Sequence, residues 1–205
     1  MKNTMIKYLF TVLLLIVGLC PNANGQAYKS LEKAKSSKEL NDSTSIIYGL
    51  FIQRLGFTSG GFPQEIRLQN IVTQTVYTFN VKATMKSSKE NTFCYYIKPG
   101  MYKILSYYWT QSKWYGGVMH EESIFKDIDT STKDYQKAIK RGEVDINKLS
   151  SYYIEIRPKS VYYLGTWHFN TGLVSFSDEK ISLDEKLKKK FSDIDFENAI
   201  TTLPE

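Results

Sequence analysis

The chain has 205 residues, 42% of them hydrophobic, which suffices for one sizeable core and is too short for two comfortable domains. Its formal charge of +6, to which Lys2 and Lys7 contribute, is a mild excess with no basic patch interleaved with aromatics, so no nucleic-acid partner is expected. The 15 Tyr against 3 Trp lean the class toward β, because Tyr suits half-buried strands with one wet edge.

Met1, Lys2 and Lys7 precede an apolar stretch from Tyr8 to Leu19, the charged start and short hydrophobic middle of a secretory signal. The stretch is too short to span a bilayer comfortably. Ala23 and Gly25 put small residues where a signal peptidase reads, which places the leader at residues 1–25 and a mature start at Gln26. Cys20 offers a second route, as the acylated residue of a lipoprotein, although Leu19 and Pro21 fit that signal poorly. Only through Cys20 would the chain hold a membrane. Once a leader is removed, Cys94 stands alone, so no intramolecular disulfide is expected and the core must carry the fold.

Residues 26–45 are rich in Lys, Ser, Glu and Asn and read as a flexible lead-in. A single folded domain over 46–205 begins where Ile46, Tyr48, Leu50 and Ile52 recur at the period of a strand. Gly56, Gly60, Gly61 and Pro63 interrupt it. Ile66 and Leu68, then Tyr77, Phe79 and Val81, read as a hairpin. A second hairpin is expected where Phe93, Tyr95 and Ile97 lead through Pro99 and Gly100, suited to a type II turn, into Tyr102, Ile104, Tyr107 and Trp109.

An insertion of about forty residues follows, at about 110–150. Within it Lys133 to Arg141 predicts a helix with Tyr135, Ala138 and Ile139 on one face and Gly142 ending it. Tyr152, Ile154 and Ile156, a turn at Pro158, and Val161, Tyr163 and Trp167 predict another pair of strands, and Asn170 to Gly172 turn the chain into Leu173 to Phe176. Ser182 and Glu185 have capping-box spacing ahead of Leu183, Leu187 and Phe191, and a second short helix is expected after Asp195. The fold class that results is mainly β: a small antiparallel β-sandwich, Ig-like or transthyretin-like, with a C-terminal helical tail.

Two segments, FCYYIKPGMYKI from Phe93 to Ile104 and YYIEIRPKSVYYLGTWHF from Tyr152 to Phe169, resemble an uncharacterised bacterial family of envelope proteins and lipoproteins, the domain of unknown function 2846 type. The resemblance implies a small secreted or membrane-anchored β-sandwich. It implies no catalytic residues.

His120, Glu121 and Glu122 form the most enzyme-like cluster, since imidazole beside carboxylate can bind metal or move protons. A zinc-protease helix needs a second His four residues later, where Ile124 stands, so a solvated polar loop is the plainer reading. No phosphate-binding loop and no nucleophile elbow occurs, and no metal or cofactor is expected. Trp109, Trp114 and Tyr115 are the candidate binding residues, because flat rings stack on sugar faces or on a partner's apolar surface. Ordinary core packing is the plainer reading of aromatic strands, and Trp114 and Tyr115, followed by Gly116 and Gly117, are the least core-like of the set. The reading that follows is an exported, non-enzymatic envelope module binding a protein or a glycan through loops at one end of the sandwich. The alternatives are a hydrolase of a cell-surface polymer and a structural subunit pairing through strand edges.

Overall fold

A computed structural model of the chain describes residues 28–54, 62–82 and 88–205. The expected leader, Cys20, and Gly56, Gly60 and Gly61 lie outside the described residues. Strand makes up 45% of the structure against 14% helix, which settles the class as mainly β, in two sheets.

The front sheet holds β1 (Tyr28–Ser30), β4 (Val76–Lys82), β3 (Gln64–Asn70), β6 (Gly100–Lys113) and β7 (Gly116–Ser123) in that order, with β8 (Tyr153–Ile156) also paired to β6. The back sheet runs β10 (Ser175–Ser177), β9 (Val161–His168), β2 (Ser45–Ile52) and β5 (Glu90–Ile97), with β11 (Ile200–Thr201) also on β9. Most pairs are antiparallel, as expected, while β1 on β4, β2 on β9 and β11 on β9 run parallel.

Alternation decides what each face buries. In the front sheet Ile66, Leu68, Phe79, Tyr102, Ile104 and Tyr107 point inward, and from the back sheet Ile47, Phe51, Phe93, Leu164 and Trp167 meet them. Trp167 is fully buried against Phe79, Phe93 and Phe176, and its Nε1 donates to Leu164 O at 2.8 Å. That bond satisfies a donor which burial has cut off from water.

The other face of the back sheet is apolar as well, with Ile46, Tyr48, Leu50, Tyr96 and Tyr163 sealed beneath Leu183, Leu187, Ile194 and Phe196. Among the described residues two α-helices flank the sheets: α1 (Lys133–Lys140), beside the front sheet, and α2 (Lys180–Lys188), which lies over the back sheet. Tyr48 donates to Asp184 on α2 at 2.7 Å, and Lys180 donates to the same carboxylate at 2.7 Å.

Several expectations need correction. The segment from Tyr28 to Ser45 is no tether: Leu31 N donates to Thr78 O of the front sheet, Tyr96 N donates to Glu32 O, and Ala34 N donates to Cys94 O of the back sheet. It closes one side of the sandwich and buries Ala34. The Pro99–Gly100 turn closes no hairpin, because β5 pairs with β2 and β6 with β3, so the chain passes there from one sheet to the other. Gly100 has φ +152, far from the value near +80 of a type II turn, and a Cβ on it would collide with Asn70. The chain switches sheets again at Pro158, between β8 and β9. Helix α2 starts at Lys180, and Ser182 donates to Glu179 O instead of capping the helix. No helix follows Asp195: β11 adds to β9 instead. The helix expected in the insertion is present as α1, capped by Thr132 and ended at Gly142 with φ +71.

Candidate functional site

The region expected to be an insertion after Trp109 opens as a continuation of the front sheet. β6 runs on to Lys113, and β7 returns against it from Gly116, with Trp114 and Tyr115 as the two residues of the turn. This hairpin, with α1 beside it, exposes Trp114, Tyr115 and Met119.

Its base is anchored on both faces. On the inward face Trp109 lies directly across from His120, the rings stacked at 4.0 Å and 16°. Glu122, across from Tyr107, takes both Arg54 Nη1 contacts at 2.9 and 3.0 Å. Arg54 also donates to Phe169 O and Thr171 O, which ties the arm to the turn after β9. Behind this pair Tyr107 donates to Gln64, and Gln64 donates to Gln53 at 2.5 Å, a buried polar chain that pins β6 to β3 and to the residue just after β2. On the outward face Arg67 lies 4.2 Å from the Tyr28 ring and 4.9 Å from the Tyr108 ring, and reaches Glu121 at 2.5 Å. Ser106 donates to the same carboxylate at 2.6 Å.

The sheet therefore separates the enzyme-like cluster. Successive strand residues point to opposite faces, so His120 and Glu122 share one side while Glu121 takes the other. Burial raises the Glu122 carboxyl pKa, against the pull of Arg54. Glu121 is shifted downward: burial pushes its pKa up, but the Ser106 and Arg67 hydrogen bonds and the Arg67 charge outweigh it. Burial, with Lys113 nearby, lowers the His120 pKa. Both carboxylates are held by arginines, and among the described residues no group of three or more His, Cys, Asp or Glu could hold a metal ion.

The three aromatic candidates also divide. Trp109 is 8% exposed and belongs to the base of the arm. Trp114 is 95% exposed and Tyr115 64%, their rings 5.3 Å apart at 89°. Met119 is exposed on β7, and Phe62, half-exposed, has its ring beside Gly117. The flanking Gly116 and Gly117 were the sequence signal for exposure at the tip. Nothing in the sequence marked Arg54 or Arg67, whose partners lie far along the chain.

His168, the other histidine, contacts Ser177 at 2.7 Å across the β9–β10 pair. Burial pushes the Cys94 thiol up to about 12, which suits an inert buried side chain. Among the described residues no helix is long and apolar enough to cross a membrane.

No family model matches the chain, and no curated protein does. Among solved structures it is similar to a leucine-rich repeat protein from Bacteroides thetaiotaomicron, at 8% identity and a TM-score of 0.33, over 74% of this chain and 16% of that one. The chain thus spans a small fraction of that protein's length.

Proposed function

We propose that the protein is an exported, non-enzymatic module of the cell envelope that docks a partner protein with the β6–β7 arm. The observation that carries this reading is the exposure of Trp114 and Tyr115 at the tip of a hairpin whose base is locked by two arginine–glutamate pairs and a Trp–His stack. Exposed large aromatics on a rigid support lose little entropy on binding and bury much area, the usual make-up of an interface anchor.

A protein surface fits the tip better than a glycan does. Sugar faces stack on flat aromatic platforms, whereas Trp114 and Tyr115 stand edge to face at 89°. Export rests on the pattern of Lys2, Lys7 and the apolar run to Leu19, and Cys20 supplies the route to lipid anchoring if it is retained.

Site-specific photocrosslinking tests the reading. A benzophenone side chain at position 114, in the cells that make the protein, should give a discrete crosslinked species. The same group at Lys186, on α2, should not. Equal crosslinking at both positions contradicts the proposal.

A further inference from the structure

The arm offers more than its tip. Counting from the closing pair Lys113 and Gly116 of the two-residue turn, antiparallel pairing alternates, so Val118, His120 and Glu122 exchange backbone hydrogen bonds with β6. Gly117, Met119, Glu121 and Ser123 then turn their N–H and C=O groups to the outer edge of β7, which pairs with no strand among the described residues. Thr130 Oγ1 donating to Ser123 O at 2.6 Å fits this phase, and it closes one end of that edge.

A groove of about 210 Å³ runs along the edge. Its strand wall is the consecutive run from Met119 to Ser123, and its far wall is Gln136, Ile139 and Lys140 of α1. Only a strand seen edge-on lines a groove with successive residues, because side chains alternate between the two faces of the sheet. Gln136 donates to Thr130 O at 3.4 Å, which holds the helix to the closed end.

We infer that this groove accepts an extended segment of the partner protein, which adds to β7 as one more strand beneath α1. This rests on the reading of the arm as a docking element and names the chemistry of what docks. The backbone donors and acceptors at Met119 and Glu121, which have no partner among the described residues, call for a peptide backbone, which supplies both at matching intervals. Ile139 and the exposed Met119 call for apolar side chains on that segment. Charge selects further: Glu121 and Glu122 are neutralised by Arg67 and Arg54, while Lys140 has no ion-pair partner among the described residues. The segment therefore carries an acidic residue toward α1. Beyond the groove, β7 leads directly to Trp114 and Tyr115, so one strand can use both.

The probe is a phage-displayed library of random decapeptides, selected on the full chain. Selection should enrich peptides with alternating apolar residues and an Asp or Glu, and binding should protect the Met119 and Glu121 amides from hydrogen exchange. Met119→Pro removes an outward N–H from an edge strand, a place that tolerates proline, and should weaken the enriched peptides by at least about tenfold. Met119→Ala keeps the backbone donor and should retain most of the affinity. Circular dichroism melts of both variants establish that they fold.

A library that yields no binder overturns the inference. So do peptides that bind Met119→Pro as well as wild type, or that leave the two amides unprotected. If crosslinking at position 114 succeeds while peptides ignore Met119→Pro, the groove fails and the tip stands. If peptides depend on Met119 while crosslinking at 114 is absent, the tip fails and the groove stands.

Discussion

Trp109 and Trp114 are near neighbours in sequence and opposites in structure: one is 8% exposed and stacked on His120, the other 95% exposed at a turn. Trp109 helps hold the base of a hairpin to the sandwich. Trp114 contributes almost nothing to the stability of the chain that carries it, because it removes almost no apolar surface from water. The contrast teaches that the arm is built in two parts, a base that is packed, stacked and ion-paired, and a tip whose apolar area is kept for something else.

The sharpest break of that contrast compares the tip with the core. Trp167→Ala, which empties a site walled by Phe79, Phe93 and Phe176, should cost about 3–5 kcal/mol in urea unfolding. Trp114→Ala should stay within about 0.5 kcal/mol of wild type. Equal losses would mean that the tip is packed after all.

The base should respond next. Glu122→Ala leaves Arg54 without its carboxylate in a mostly buried place, and should cost about 2–3 kcal/mol by the same unfolding measurement. The exposed pair Arg141 and Glu143 serves as the control, and Glu143→Ala should change stability by no more than about 0.5 kcal/mol.

The smallest effect is a pH dependence. Burial lowers the His120 pKa, with the Lys113 charge adding to it, while in the unfolded chain the ring titrates near its ordinary 6.5. The unfolded state thus takes up the proton first, so His120 contributes stability above pH 6.5 and that contribution drains as pH falls below it. Thermal melts across that window should show a slope in wild type that is shallower in His120→Phe. Identical slopes would remove His120 from the account.

Much of the layering was legible in the sequence. The inward positions Ile66, Leu68, Tyr77, Phe79 and Val81 followed from alternation, and α1 followed from its spacing and Gly142. What alternation cannot report is which strand lies alongside. Phe93 to Ile97 and Tyr102 to Tyr107 bury the same kind of face whether they form a hairpin or belong to facing sheets, and here they face each other across the core. The tail after Asp195 misled for a related reason, since Phe196 buries against the back sheet in an irregular segment as well as it would from a helix. Of the site, the exposed tip was legible in Trp114, Tyr115 and the two glycines after them. The arginines were not, because Arg54 meets Glu122 only after β2 and β7 have been placed by other contacts.

The most direct test of the divided arm is quenching of intrinsic tryptophan fluorescence by iodide, in wild type and in Trp114→Phe. The account predicts that one component of wild type is readily quenched and that Trp114→Phe loses it, since Trp109 and Trp167 are shielded. A Trp114→Phe variant that is quenched as fully as wild type would contradict it.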